Sequence, residues 1–178
     1  MPLKPLIHPD NLHLRAAVGW LELGNHIESG EELERIRPEW RAHPDVLDMR
    51  CLIYYAAKKW DNALAVAEEL TKTVPDDDRG WIHLCRALYF TNRIKHAYDI
   101  ATRKLPSFPR NWELHYDTAC YACLLGRLKE TENFLLRAFK LGDTEQIKSL
   151  ALADPNLDAL WKSILSFPSL GSIEAVLV

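Results

Sequence analysis

The chain has 178 residues, of which 48% are hydrophobic and 26% charged, and 25 acidic against 22 basic side chains give a net charge of −3. This balance is typical of a globular protein and, with no apolar run of about 18 residues, predicts neither a nucleic-acid partner nor a membrane partner. The four cysteines, without a recognisable signal peptide, favour reduced thiols and a cytoplasmic location.

A period of 34 residues runs through most of the chain. It relates one set of small residues, Ser29, Ala63, Ala97 and Thr131, and a second set, Gly24, Lys58, Asn92 and Gly126. A fixed period of this length is typical of stacked helical hairpins, because each hairpin buries its apolar face only against a neighbour. After an N-terminal extension at 1–9, the period predicts four hairpins at 10–43, 44–77, 78–111 and 112–143.

The individual units vary in how clearly they show two helices. In the first unit, Pro38 falls earlier than the prolines that close later units, so its second helix should be short and 38–43 irregular. The third unit is the most regular. Its two apolar stripes have helical spacing and comprise Trp81, Leu84, Cys85 and Leu88, then Ile94, Ala97, Tyr98 and Ala101.

The pattern changes after Gly142. We predict further helices in 144–166, with Leu157, Leu160 and Trp161 covering the exposed face of the last hairpin. The segment 167–178 ends in four apolar residues, and we expect it to pack on its own chain or on a second one. The whole chain is predicted to form one domain.

Several of these positions resemble the consensus of tetratricopeptide repeat proteins. The marks in the third unit are an aromatic residue at Trp81, alanines at Ala97 and Ala101, and a closing Pro109. The segment 154–160 also resembles the closing unit of many bacterial members, so 144–166 would be capping helices. The resemblance implies an all-α fold, a right-handed α-solenoid of about four such hairpins.

The first helices of such hairpins line a concave surface, which predicts a non-catalytic scaffold that binds a peptide or helix of another protein. Aromatic rings supply contact area there and arginine supplies directional hydrogen bonds. The period places a wider set of residues on this surface, which includes Leu14, Val18, Asp45, Asp48, Leu52 and Arg79. The candidate partner-binding residues are Arg15, Met49, Tyr55, His83, Arg86, Tyr89, Tyr116 and Asp117. The alternative is that the tyrosines merely fill the inner wall. Some co-chaperones of this family hold a carboxylate with lysine and asparagine side chains on this surface. At the matching positions of this chain, counted from either the first or the second repeat, that pair is missing.

Other functions have less support. A self-associating homodimer built on the apolar tail and terminal hairpin is the alternative function. Cys120 and Cys123 lie on one side of a helix, but a zinc site needs four ligands, so a metal or redox protein is a weaker alternative. The seven histidines lack a metalloprotease spacing and no glycine-rich phosphate loop occurs, so we predict no enzymatic activity, metal or cofactor.

Overall fold

The computed structural model describes residues 4–166. Within this range the chain is helical and contains no strand. The ten α-helices are α1 Asp10–Glu22, α2 His26–Arg35, α3 Pro44–Ala56, α4 Trp60–Thr73, α5 Asp78–Phe90, α6 Ile94–Lys104, α7 Trp112–Leu124, α8 Leu128–Leu141, α9 Thr144–Ala153 and α10 Trp161–Ser166. Short 3₁₀ helices occupy Pro38–Trp40 and Pro155–Leu160. The early break at Pro38 and the short α2 agree with the sequence-based prediction.

The chain divides into two compact units. The first runs to Thr91 and contains α1 to α5, and the second starts at Asn92 and contains α6 to α10. The division falls between the two helices of the predicted third hairpin. The prediction that all of the chain forms one domain stays a prediction.

The turns between helices explain one set of repeating positions. Gly24, Lys58, Asn92 and Gly126 all have positive φ, at 78°, 55°, 61° and 74°. This left-handed conformation reverses the chain at the end of a helix, and glycine and asparagine adopt it at least strain. Each residue of this set therefore marks the turn that ends the first helix of a repeat.

The small residues at the 34-residue period are buried, and in the first repeat they lie where two helices cross. Ser29, Ala63, Ala97 and Thr131 are all fully buried. A second set at the same period, namely Ala17, Cys51, Cys85 and Ala119, is also fully buried. In the first unit the Ser29 hydroxyl donates to the carbonyl of Ala17 at 2.7 Å, so α1 and α2 approach closely at this pair.

An ion pair closes the first hairpin. Asp10, at the start of α1, is fully buried, and its carboxylate accepts hydrogen bonds from the Arg37 backbone at 2.9 Å and from its guanidinium at 2.9 and 2.6 Å. The hydrogen bonds from Arg37 hold the pKa of Asp10 below its usual range. This contact joins the beginning of α1 to the segment that follows α2.

The segment after α8 packs on the last full hairpin. Leu157 and Leu160 are buried in one apolar cluster with Leu135 of α8 and Ile147 of α9. This confirms their predicted contact, but the prediction was wrong for Trp161, which is 41% exposed. Leu157 and Leu160 are three residues apart in the 3₁₀ helix, and the fully buried Ile164 follows four residues later in α10, so these residues share the apolar side and Trp161 lies off it. The predicted apolar tail lies outside the described residues.

Candidate functional site

The first compact unit, which ends at Thr91, carries a pocket formed by the first helices of its repeats, α1, α3 and α5. The pocket has a volume of about 390 Å³ and is lined by Leu14, Val18, Leu21 and Glu22 of α1, by Asp45, Asp48, Met49 and Leu52 of α3, and by Arg79 of α5. Val18 and Leu52 are 40% and 38% exposed, although both are apolar. The pocket therefore combines accessible apolar side chains with a charged rim.

Arg79 organises the charges at this rim. Its guanidinium contacts Asp77 at 2.7 Å and Asp45 at 3.0 Å, and Asp48 lies 3.6 Å away. The hydrogen bonds to Asp77 raise the pKa of Arg79 and lower that of Asp77, so both groups stay charged at neutral pH. Since Glu22, Asp45 and Asp48 also line the pocket and Arg79 is the single cation among its lining residues, the rim is net negative.

His83 links α3 to α5 beneath this network. The ring is buried, and Nε2 lies 2.9 Å from Oδ1 of Asp48. The backbone carbonyl of His83 accepts a hydrogen bond from the Tyr55 hydroxyl at 2.6 Å. These two contacts hold the inner sides of α3 and α5 at a fixed separation.

An aromatic group extends from Tyr55. The Tyr55 ring lies 5.6 to 6.2 Å from the rings of His83, Phe90 and Trp60. Trp60 and Phe90 stack face to face with ring centroids 4.2 Å apart, and Phe90 is 45% exposed. Tyr55 thus has a structural role in holding α3 against α5, as the wall-filling alternative predicted for the tyrosines.

The structure distributes the predicted partner-binding residues unevenly. Within the first unit, Arg15 is exposed and Tyr55, Arg86 and Tyr89 are half-buried. The expected outward orientation was wrong for Met49 and His83, which are 4% and 5% exposed. Met49 packs in the apolar core of this unit with Ala17, Leu33, Ile36, Val46 and Ile53. It also lines the pocket, although little of its side chain is exposed.

The remaining predicted residues belong to the second unit. Asp117 is buried at 9% exposure, so its expected outward orientation was also wrong. Tyr116 donates its hydroxyl hydrogen bond to Asp154 at 3.1 Å, and the Cys120 thiol lies 3.4 Å from the same carboxylate oxygen. Both side chains thereby link α7 to the start of the Pro155–Leu160 helix.

The cysteines lie in surroundings unsuited to thiolate chemistry. Burial, reinforced by Asp154, raises the pKa of the Cys120 thiol, and burial also raises that of Cys123. A protonated thiol is a poor nucleophile and a poor metal ligand. Among residues 4–166, no group of three or more His, Cys, Asp or Glu side chains is arranged to hold a metal ion.

Of the lining residues, the list of predicted partner-binding residues contained only Met49, and the wider set that the period placed on the same surface lacked Leu21 and Glu22. Leu21 lies 34 residues before Tyr55, so the same repeat position that selected Tyr55 could have identified it. Glu22 stands 34 residues before Ala56, and no signal in the repeat pattern marks it as part of a charged rim.

Comparison with known proteins identifies the fold. No family model matches the chain, and no curated protein matches its sequence. Among solved structures, the chain is similar to TTC0263, a thermophilic TPR (tetratricopeptide repeat) protein in Thermus thermophilus. The TM-score is 0.74 and the identity 22%, over 87% of this chain and 82% of that one.

MamA structures are also similar. MamA AMB-1 has a TM-score of 0.61 at 21% identity over 74% of this chain and 78% of that one, and MamA MSR-1 has 0.60 at 20% over 74% and 76%. These similarities confirm the predicted all-α fold of the tetratricopeptide repeat type. Within the described range, no helix is both long and apolar enough to cross a membrane.

Proposed function

We propose that this protein is a non-catalytic scaffold that binds a peptide or helix of another protein at the pocket of α1, α3 and α5. The observation that carries the proposal is the pairing of accessible Val18 and Leu52 with a charged rim. Apolar anchors within a polar rim are the usual arrangement at protein interfaces. The tetratricopeptide repeat fold supports this function, since proteins of stacked helical hairpins present extended surfaces to partners.

The rim charge favours one kind of partner segment. Three carboxylates and one guanidinium line the pocket, which leaves a net negative potential around an apolar floor. A segment with one apolar side chain and a neighbouring lysine or arginine matches this arrangement. The apolar side chain would contact Val18 and Leu52, and the cation would approach the exposed Glu22 from solvent.

Affinity purification with matched baits tests the proposal. The full chain, a Val18→Gln/Leu52→Gln variant and a Leu150→Gln control would be used on lysate of the source cell, followed by quantitative mass spectrometry. Leu150 is a suitable control because it is 45% exposed and lies on α9 in the other unit. A partner bound through the pocket should be depleted by about tenfold or more with the double variant and retained by the control.

Calorimetry on the purified partner would then measure the affinity directly. Circular dichroism should show equal helical content in all three baits, because the substitutions lie on accessible positions and glutamine is a good helix former. Retention of every partner by the double variant would contradict the proposed surface.

Self-association is a second candidate, and exposed apolar residues on the first hairpin favour it. Leu23, which follows the last residue of α1, is 78% exposed, and Ile27, in the first turn of α2, is 64% exposed. Sedimentation equilibrium of the wild type and of a Leu23→Ser/Ile27→Ser variant separates the candidates. A dimer that the double substitution dissociates would support self-association, and a monomeric wild type would contradict it.

A further inference from the structure

The first hairpin leaves one side of α1 uncovered. Leu12 and Trp20 on this side are 48% and 38% exposed, and Ala16 and Gly19 between them are partly exposed. Residues three and four apart on a helix share one side, so these four residues form a continuous strip, which we call the end face of α1. No member of the strip lines the pocket of α1, α3 and α5, so the proposed scaffold function does not use it.

The equivalent side of later repeats is buried beneath a helix. Two periods after the end face, the same positions in α5 are Gly80, Leu84, Ala87 and Leu88, and all of them are buried. The second helix of the preceding repeat covers them, since α4 packs on α5 and a Cβ at Gly80 would lie 3.1 Å from the Thr71 backbone. The equivalent positions of α7 are buried too, and α6 packs on that helix. The repeat register therefore indicates that a helix fits the end face of α1.

The described chain does not supply this helix. Residues 4–9, which precede α1, contain no helix, and they leave Leu12 and Trp20 exposed. At the last hairpin, by contrast, the chain buries its own Leu157 and Leu160 in one cluster with residues of α8 and α9. A repeat at the end of a stack needs a polar outer side or a cover, so the apolar end face of α1 favours a covering helix from another protein.

Gly19 indicates how closely that helix approaches. Glycine inside a helix is less favourable than alanine, and a Cβ at Gly19 would meet no atom within 4 Å. The packing of the described chain therefore does not require glycine here, in contrast to Gly80, where a Cβ would press against α4. Gly19 and Ala16 together leave room for the backbone of a crossing helix, as small residues do where α1 and α2 cross.

Charges on either side of the end face restrict the covering helix further. On the side of α2, the Glu32 carboxylate lies 2.8 Å from the His13 ring and 2.6 Å from the Arg35 guanidinium. Glu28 lies one turn before Glu32 on the same side of α2, and its carboxylate makes no ion pair within residues 4–166. Arg15 is exposed on the other side of the strip, and it makes no ion pair in that range either. A basic residue beside Glu28 and an acidic residue beside Arg15 would therefore match this surface.

We propose that the end face of α1 binds an amphipathic helix of a partner protein, in the place that the second helix of a preceding repeat takes on α5 and α7. The apolar side of that helix covers Leu12 and Trp20 and crosses α1 at Ala16 and Gly19. Its basic edge lies beside α2 and its acidic edge on the opposite side. This surface is separate from the pocket of α1, α3 and α5, so either proposal can fail without the other.

A designed helical peptide tests the proposal on the full chain. The probe is an acetylated and amidated peptide of two copies of Leu-Ala-Gln-Leu-Glu-Gln-Lys, whose leucines form one stripe between a line of lysines and a line of glutamates. Its control contains the same residues in an order that spreads the leucines around the helix. The Trp20 indole ¹H–¹⁵N resonance, assigned by its loss in Trp20→Phe, should shift saturably with the probe. The control peptide should bind at least about tenfold more weakly.

Neighbouring positions of α1 provide matched variants. Gly19→Gln should weaken binding of the probe at least about tenfold, because the added side chain blocks the close approach. Val18→Gln, at the adjacent position that lines the pocket, should leave the affinity unchanged. Glu28→Gln should weaken binding about twofold, as expected for an exposed ion pair. Circular dichroism should show equal helical content in all variants, since the space around Gly19 is open.

Four results would overturn the proposal. They are no Trp20 shift, equal binding of probe and control, full affinity of Gly19→Gln or Glu28→Gln, and weaker binding by Val18→Gln, which would assign the probe to the pocket. A wild-type chain whose Trp20 resonance moves on dilution without peptide would also overturn it, because a second copy would then cover the end face.

Discussion

Asp45 and Arg79 occupy the same position of successive repeats, and their side chains form an ion pair at 3.0 Å. Their separation of 34 residues is one full period, so neighbouring first helices in the first unit place equivalent positions side by side. The continuous surface of α1, α3 and α5 follows from this register. A surface of repeated positions is what allows an extended segment to contact several helices at once.

A larger side chain at Ala63 should destabilise the protein, because α3 and α4 cross closely at this residue. This residue is fully buried, and its carbonyl lies 3.9 Å from the Cys51 sulfur of α3. Ala63→Leu should lower the free energy of unfolding by about 1–3 kcal/mol, because the added atoms push α3 and α4 apart. Ala65→Leu on the exposed side of α4 is the matched control. Equal midpoints of thermal unfolding for both variants would place the crossing elsewhere.

The Asp10–Arg37 pair should make stability depend on pH. The pKa of Asp10 is lowered in the folded state by the hydrogen bonds from Arg37. Its contribution is therefore complete above the unfolded value of about 3.8 and is lost as pH falls through the folded value.

Asp10→Asn should consequently lower the midpoint of thermal unfolding at about pH 7, and the difference from wild type should shrink at about pH 3. Glu31→Gln, at an exposed position of α2, is the control and should show no such trend. A difference that stays constant over this pH range would mean that the pair contributes no linked stability.

Replacing an apolar side chain after α9 with alanine should lower the free energy of unfolding more at a buried position than at an exposed one. Leu157 is fully buried and Trp161 is 41% exposed. Leu157→Ala should lower the free energy of unfolding by about 2–5 kcal/mol, because it leaves a cavity beside α7 and α8. Denaturant unfolding of Trp161→Ala should show a smaller loss, and a larger loss for Trp161 would contradict the observed packing.

The four thiols should react at different rates. Cys51, Cys85 and Cys120 are buried, and Cys123 is only partly buried. Burial raises the pKa of Cys51 to about 12 and raises those of Cys120 and Cys123 as well. At about pH 8 we expect iodoacetamide to label Cys123 first, more slowly than free cysteine, and to label all four equally after unfolding. Peptide mass spectrometry measures the labelling rate of each cysteine. Rapid labelling of Cys120 would contradict this prediction and support the redox alternative.

The helices, their turns and the crossing sites were predictable from the amino-acid sequence. Positions such as Ala63 and Gly126 are restricted locally, since a close crossing admits only small side chains and a left-handed turn favours glycine. Such restrictions repeat at every period and are visible without coordinates. The tetratricopeptide repeat fold follows from them.

The site was predictable only in part. The period selected Asp45 and Arg79 for one surface, but it also selected Met49 and His83, which neighbouring helices bury. The Asp10–Arg37 contact had no signal in the repeat pattern. Periodicity assigns a residue to one side of a helix, whereas burial and pairing depend on the length and charge of side chains from other helices, and these are brought together only when the chain folds.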